Sequence, residues 1–348
     1  MIPLKEKFQH PRLPGVRWRE RGLTLVELMI SITLGLLILA GMVAVFANTS
    51  AVRNEIERTS RQIENGRYAI ELLREDIQLA GYFGETDMSL IALPAAIPNP
   101  CSVDPAVWPL DMKVHVQGVD DFPGVAPTPD VSCLPGIKVG TDVIIIRRAK
   151  TCVFGAAGCD SDNDLAYLQA PLCNTEVATH TLGVKSATAF VHQKKDCATA
   201  TDLRPYVVYF YYVRTNNDDG ITCPCTLSRA EFIGAKIDPI TTTNFKVTPL
   251  VDGIENLQLD YGVDTDGDGD ADSYQAKPAN VADWSSVMTV QVNLLARNVD
   301  ISPGYTDTKT YNLGPSAGSV GPFSDPRRRH VYSALVRIQN ASGRRETP

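Results

Sequence analysis

Five aspartates alternate with small residues in one short segment of the chain. They are Asp264, Asp266, Asp268, Asp270 and Asp272. Carboxylates at the first, third and fifth positions of a loop, with Gly269 at the sixth, are typical of the first half of a calcium-binding loop. Asp270 would add its backbone carbonyl, and Asp272 would bind directly or through water. This spacing predicts a calcium ion as the one cofactor of the chain.

One feature of the aspartate loop argues against tight calcium binding. Gln275 stands at the twelfth position, where such loops usually carry a bidentate glutamate. The alternative interpretation is an acidic hairpin turn that stays solvated. Five carboxylates this close repel one another unless a cation is present, and this repulsion favours the calcium interpretation.

A single carboxylate, Glu27, lies at the edge of a long apolar run. Residues 28–47 contain no charged side chain. At about 1.5 Å per residue, a helix of this length crosses a hydrocarbon core of about 30 Å. The run is longer than the apolar region of a secretory signal peptide, and no A-x-A-like site follows it. A plain signal anchor is the alternative, but it leaves Glu27 unexplained, because a carboxylate at this depth needs a partner.

Charge is distributed unevenly between the N-terminal segment and the rest of the chain. Residues 1–22 hold six of the 33 Lys and Arg and two of the 40 Asp and Glu, which leaves 27 basic and 38 acidic residues in the remainder. The basic segment predicts a cytoplasmic N-terminus and an exported body. An acidic body is a poor ligand for phosphodiester backbones, so we expect no nucleic-acid partner.

All eight cysteines follow the apolar run: Cys101, Cys133, Cys152, Cys159, Cys173, Cys197, Cys223 and Cys225. An even number of cysteines in loop-like surroundings predicts disulfides formed in an oxidising compartment. Cys152 and Cys159 flank a Gly-bearing loop and are predicted to pair. Cys223 and Cys225 are too close for an easy mutual bridge, so each is expected to pair elsewhere. The paired CxxC spacing of a zinc site is missing.

No catalytic fingerprint accompanies these residues. The sequence lacks the HExxH, GxSxG, Walker A and dinucleotide-binding patterns. The five histidines are scattered, and the exported ones are expected at the surface or in the core. Arg327, Arg328 and Arg329 are expected to form a solvated turn. We therefore predict that the chain is not an enzyme and holds no organic cofactor.

The segment from Arg21 to Ile30, RGLTLVELMI, resembles the type IV prepilin signature. In that family a membrane peptidase cuts after the glycine, and the new N-terminal residue is methylated. The resemblance implies cleavage between Gly22 and Leu23 and N-methylation of Leu23, although Leu replaces the commoner Phe. It also places Glu27 at the fifth mature position. There its carboxylate can meet the Leu23 amine of a neighbouring subunit.

Beyond the membrane segment, apolar residues recur at helical spacing over residues 51–80. Their stripe is Val52, Ile56, Thr59, Ile63, Gly66, Ile70, Leu73, Ile77 and Ala80. We expect this stripe to pack on the head of the same chain rather than in a coiled coil, with Gly81 as C-cap. The motifs NGRYA at residues 65–69 and LAGYFG at residues 79–84 resemble the PilW-type minor pilins.

The fold class expected from these elements is α+β and type IV pilin-like. A cleavable leader spans residues 1–22, a long helix residues 23–82 with its transmembrane part at 28–47, and a β-rich exported head residues 83–348. Strands are predicted at residues 142–148, 206–214, 257–263, 287–296 and 331–340. Together they predict a mainly antiparallel sheet against the C-terminal half of the helix. Residues 94–135 are predicted to form a long loop region that disulfides hold in place.

The family resemblance implies a structural minor pilin that initiates pilus assembly near the tip. Its implied partners are other minor pilins, the major pilin, the assembly platform, the prepilin peptidase and the inner membrane. The head would be periplasmic first and then part of the pilus at the cell surface. The competing interpretations are a pseudopilin of type II secretion, a calcium-dependent tip adhesin, and an exported enzyme on a signal anchor.

Overall fold

The computed structural model describes residues 22–125, 127, 129–159, 161–216, 222–234, 236, 238 and 243–345. It begins with one helix, α1, from Leu25 to Gln78. By length and hydropathy this helix is apolar enough to cross a membrane. The chain divides into two compact units, residues 1–54 and residues 55–348. The first of them, where described, is the N-terminal half of α1, with exposed side chains.

The second unit contains a seven-stranded antiparallel sheet. Its strands are β1 (Val116–Val119), β2 (Val143–Ala149), β3 (Ala166–Gln169), β4 (Thr181–Val184), β5 (Arg204–Asn216), β6 (Thr222–Phe232) and β7 (Phe245–Asp252). The long strand β5 is central, because it pairs with β2, β3 and β6. Its aromatic and β-branched residues favour a strand that is buried on both faces.

A second antiparallel sheet contains β8 (Ile254–Val263), β9 (Ser273–Gln275), β10 (Val287–Arg297) and β13 (Arg329–Arg337). Its strand order is β13-β10-β8-β9. The short strands β11 (Tyr311–Asn312) and β12 (Ser319–Val320) form a separate ribbon. Short helices α2 (Trp108–Asp111), α3 (Val281–Ser285) and α4 (Gln339–Ser342) and a 3₁₀ turn at Met88–Leu90 complete the described elements.

Strand β2 shows how the head is layered. Ile144 and Ile146 pack in a core shared with α1 and the second sheet. Val143 and Ile145 point to the opposite face, into a core closed by residues from 83–134. Successive side chains of a strand alternate between faces, so a continuous apolar run signals burial on both sides.

The C-terminal half of α1 packs on the head through the last part of the predicted stripe, while the first part of that stripe is exposed. Ala69, Leu73, Ile77 and Ala80 are fully buried in the first core. Ile56 and Ile63 of the predicted stripe are instead 63% and 39% exposed, and Val52 is also exposed. The helical seam therefore runs through residues 62, 66, 69, 73, 76 and 77. It includes the polar side chains of Gln62 and Asp76, which an apolar pattern does not detect.

The predicted fold class and all five predicted strands are confirmed, with ends shifted by a few residues. The helix ends at Gln78, and Gly81 lies beyond it with a φ of 71° and donates its N–H to the carbonyl of Arg147. Gly81 therefore orients the exit from the helix rather than capping it directly. The C-terminal strand ends at Arg337 rather than 340, because α4 follows it.

Three disulfides fasten the loops of the head. Cys101 pairs with Cys133 across the long loop region, Cys152 with Cys159 as predicted, and Cys173 with Cys197. These bridges use six of the eight cysteines, and Cys225 is also disulfide-bonded. The prediction that Cys223 and Cys225 each pair elsewhere stays a prediction, because it depends on Cys223. The side chain of Cys223 itself lies outside the described residues.

Candidate functional site

The start of α1 is organised around Thr24 and Glu27. The Glu27 Oε2 atom accepts hydrogen bonds from the Thr24 backbone N–H and from the Thr24 Oγ1, both at 3.0 Å. In return, the Glu27 N–H donates to Thr24 Oγ1 at 3.2 Å. This reciprocal arrangement is a capping box, in which two backbone N–H groups at a helix start gain acceptors. The T-x-x-E spacing was readable in the sequence and was missed there.

The capping box bears directly on the predicted cut between Gly22 and Leu23. Both residues precede the helix, and Leu23 is 73% exposed. Cleavage at that bond leaves the Thr24 amide intact, so the hydrogen bonds to Glu27 are compatible with a mature N-terminus. The Glu27 carboxylate thus has an intrachain partner in Thr24, and the predicted neighbouring amine would be a second one.

Three of the five predicted calcium ligands converge. Asp264, Asp266 and Asp268 each place one carboxylate oxygen within 4.8 Å of the others. The loop connects β8 to β9 in a hairpin. Asp264 is buried and accepts the N–H groups of Gly267 at 2.6 Å and Gly269 at 2.9 Å. The turn therefore folds around Asp264.

The other two aspartates of the loop have different partners. The Asp272 carboxylate accepts hydrogen bonds from the backbone N–H and the Oγ1 of Thr265, both at 2.7 Å. Asp270 is exposed and lies 3.4 Å from a guanidinium nitrogen of Arg337. Neither side chain joins the converging group, so the carboxylate ligands brought together are the first three.

The electrostatics of Asp264 keep it ionised. Burial acts to raise its pKa, but hydrogen bonds from Arg345 and from the Gly267 and Gly269 amides hold that pKa below the usual value. The Arg345 guanidinium lies 2.9 Å from Asp264 Oδ2. An ionised carboxylate is the form that calcium requires, and Arg345 would share it with the ion.

A buried polar cluster fixes α1 to the head, and sequence reasoning did not find it. Asp76 Oδ1 accepts from Arg148 Nη2 at 2.6 Å and from Arg148 Nε at 3.1 Å. Its other oxygen accepts from the Tyr211 hydroxyl. Burial, with the Asp76 charge, raises the pKa of Tyr211, so the phenol remains a donor. These residues join α1, β2 and β5.

The arginine triplet before β13 is not a solvated turn, so that prediction is wrong. The Arg329 side chain is 1% exposed and forms ion pairs with Glu255, Asp307 and Asp325. Arg328 pairs with Glu55 of α1. A buried guanidinium requires carboxylates around it, and here they come from three separate segments of the head.

Two histidines of the head are structural in their contacts. His115 is 4% exposed, and its Nε2 lies 2.8 Å from the carbonyl of Val287. Burial lowers the pKa of His115 to about 4, so it is neutral at pH 7. His192, also buried, lies between Glu176 at 3.0 Å and the Thr181 hydroxyl at 2.9 Å. These contacts fasten neighbouring segments, as expected for core histidines.

Two stretches of the chain match known families. Residues 210–340 match the family described as Type IV Pilus-assembly protein W, PilW. Residues 19–43 match the Prokaryotic N-terminal methylation motif, which includes the Thr24–Glu27 capping box. No curated protein matches the chain.

One solved structure also matches the chain, at low similarity. It is the type IV-like pilin TTHA1219 from Thermus thermophilus, with a TM-score of 0.36 and 14% identity over 81% of this chain and 97% of that one. The PilW match runs from within β5 through β13, and the methylation motif covers the start of α1. The chain thus carries the N-terminal motif of type IV prepilins and resembles the PilW family over residues 210–340.

Proposed function

We propose that this protein is a minor pilin that initiates assembly of a type IV pilus and stays near its tip. The observation that most supports this proposal is that one helix, α1, carries both the N-terminal motif and the contact with the head. A methylation motif with Glu27 begins α1, and Asp76 near the end of the same helix is tied to the head. The helix is thus suited to carry the head into a fibre.

The proposed maturation follows from the N-terminal motif. A prepilin peptidase cuts after Gly22, the Leu23 amine is methylated, and residues 1–22 are discarded. The Glu27 carboxylate then pairs with the Leu23 amine of a neighbouring subunit. In the membrane each charge compensates the other, and because the pairing needs a fixed offset between helices it sets the axial register.

The proposed location and partners follow from the same elements. The basic leader holds the N-terminus in the cytoplasm while the head enters the periplasm. The three described disulfides suit that oxidising compartment. Other minor pilins, the major pilin and the assembly platform are the proposed partners. The role is structural rather than catalytic.

A deletion experiment tests this function against a pseudopilin of type II secretion. We expect a deletion strain to lose surface pili, as counted by electron microscopy, and to secrete its exported enzymes normally. Complementation with the wild-type gene should restore piliation. Normal piliation with failed secretion would contradict the pilin proposal and favour the pseudopilin. Normal piliation with failed surface adhesion would favour the adhesin.

A second proposal concerns the aspartate loop. We propose that Asp264, Asp266 and Asp268 bind one calcium ion, with backbone carbonyls and water completing its oxygen shell. The convergence of three carboxylate oxygens within 4.8 Å favours this site. The missing glutamate at position 275 and the guanidinium of Arg345 predict weak affinity.

Isothermal titration calorimetry of the full-length protein with calcium tests this site. We expect saturable heat that disappears with chelator and in Asp266→Asn, whose side chain is exposed and bonds only within the loop. Asp270→Asn removes the same charge outside the converging group and serves as the control. No heat at millimolar calcium, or equal loss in both variants, would count against the site.

A further inference from the structure

A cavity of about 260 Å³ lies between α1, the start of β13 and the segment around residues 305–309. Five basic side chains line it: Arg67, Lys309, Arg328, His330 and Arg329, the last of which is neutralised by its buried carboxylate partners. Tyr332 lines it as well. No Asp or Glu is among the lining residues within the described part of the chain. The positive charge of this cavity is opposite to the net negative charge of the chain after residue 22.

Two of these cations are not neutralised. Arg67 and Lys309 are exposed and have no acidic partner among the residues that the structure describes. Arg328 differs, because its Nε donates to Glu55 and its guanidinium lies 4.2 Å above the Tyr305 ring. The cavity therefore has an excess of two positive charges, contributed by Arg67 and Lys309.

Tyr332 adds an unused hydrogen-bond donor to the cavity. Its hydroxyl is buried and has no partner among the described residues. Its ring is held in place by α1, since a Cβ built at Gly66 would lie 2.2 Å from Tyr332 Cε2. The His330 ring packs edge-on against the same tyrosine at 4.8 Å. An unpaired buried hydroxyl is unfavourable, so an acceptor there would be stabilising.

We propose that this cavity binds an oxyanion group that carries two negative charges. The charge of Arg67 and Lys309 matches such a ligand, and guanidinium and ammonium groups are the usual partners of phosphate and carboxylate. Arg328, His330 and Tyr332 supply further donors. The oxyanion is either a free phosphate or the paired carboxylates of an acidic peptide. This inference goes beyond the proposed pilus function and does not depend on it.

Calorimetry on the full-length protein in detergent micelles, with inorganic phosphate and hexaglutamate as separate probes, tests the site. We expect one of the two to bind, and the one that binds identifies the source of the oxyanion. The double variant Arg67→Gln/Lys309→Gln should weaken that binding by at least about tenfold, because charge-assisted hydrogen bonds are lost. Tyr332→Phe, which removes only the hydroxyl, should weaken it severalfold.

The matched control is Arg74→Gln/Lys277→Gln, which makes the same charge change at exposed positions outside the cavity. It should retain wild-type affinity. Thermal unfolding of each variant verifies that it is folded. The proposal is overturned if neither probe binds at millimolar concentration, or if the cavity variant and Tyr332→Phe bind as tightly as wild type. An equal loss in the cavity variant and the control would indicate general charge attraction and would also overturn it.

Discussion

The carboxylate of Asp76 on α1 and the guanidinium of Arg148 on β2 form a buried ion pair at 2.6 Å. Their side chains are 9% and 12% exposed, and the Tyr211 hydroxyl donates to the second Asp76 oxygen. Asp76 lies near the C-terminal end of α1, the helix whose N-terminal half is the apolar segment. The ion pair therefore fastens the end of α1 to the sheet of the head.

Replacing Asp76 by Asn should destabilise the head by about 3 kcal/mol, because Arg148 would be left buried without its charge partner. Denaturant unfolding of the full-length protein measures this. Glu71→Gln is the control on the same helix, since Glu71 pairs with Arg74 at 3.5 Å in an exposed position. It should cost less than about 1 kcal/mol. Similar losses in both variants would mean that the Asp76 pair does not hold the helix.

The buried His115 predicts a pH dependence of stability. Its pKa falls from 6.5 to about 4 on folding, so between these values the unfolded chain binds a proton that the folded chain does not. Stability should therefore decline as pH drops from about 6.5 to about 4, by on the order of 3 kcal/mol from this residue. The pH window of this loss lies between the two pKa values. Above pH 6.5 His115 is neutral in both the folded and the unfolded chain, so the stability is fully present there.

Comparison of wild type with His115→Gln isolates that contribution from the other titrating groups. Glutamine can still donate to the Val287 carbonyl but cannot be protonated, so the slope of unfolding free energy against pH should flatten over this window. Denaturant unfolding at several pH values measures the slope. Parallel curves for the two proteins would show that His115 is not the group responsible.

Variants of Glu27 and Thr24 distinguish two roles of the N-terminal motif, the charge pair and the capping box. Glu27→Gln should still insert into the membrane but should be depleted from pili, because the neutral amide cannot compensate the Leu23 amine. Thr24→Val removes the hydroxyl of the capping box and keeps the carboxylate. It should weaken the helix start by about 1 kcal/mol and still enter pili.

Immunoblots of membranes and sheared pili measure insertion and incorporation for both variants. Depletion of both from pili would show that the capping box, rather than the charge pair, is what assembly requires. Wild-type incorporation of Glu27→Gln would argue against the charge-pair account.

Much of the fold was predictable because its signals are local. The long apolar helix and the β-branched strands each follow from residue spacing. Strand β6 (TCPCTLSRAEF) was not predicted, because its polar residues are held by pairing with β5 and β7 rather than by an apolar pattern. The polar part of the buried face of α1 was not predicted for a related reason, since Gln62 and Asp76 are buried there by partners distant in sequence.

The candidate sites also divide into those formed by residues close in sequence, which are predictable, and those formed by distant residues, which are not. The Thr24–Glu27 cap and the Asp264–Asp268 convergence involve residues a few positions apart, so sequence spacing carries the information. The burial of Arg329 does not, because its partners Glu255 and Asp307 lie 74 and 22 residues away. Only the folded chain brings such charges together, and three adjacent arginines read alone indicate a solvated surface.

The mass of the mature protein tests the central claim most directly. Intact-mass spectrometry of protein from wild-type membranes should give a chain that begins at Leu23 and carries one added methyl group. Gly22→Phe should retain residues 1–22, because a bulky side chain obstructs the peptidase cleft, while Gly35→Ala should be processed normally. A wild-type chain that keeps its first 22 residues, or that is cut at another bond, would contradict the assignment of this protein's maturation.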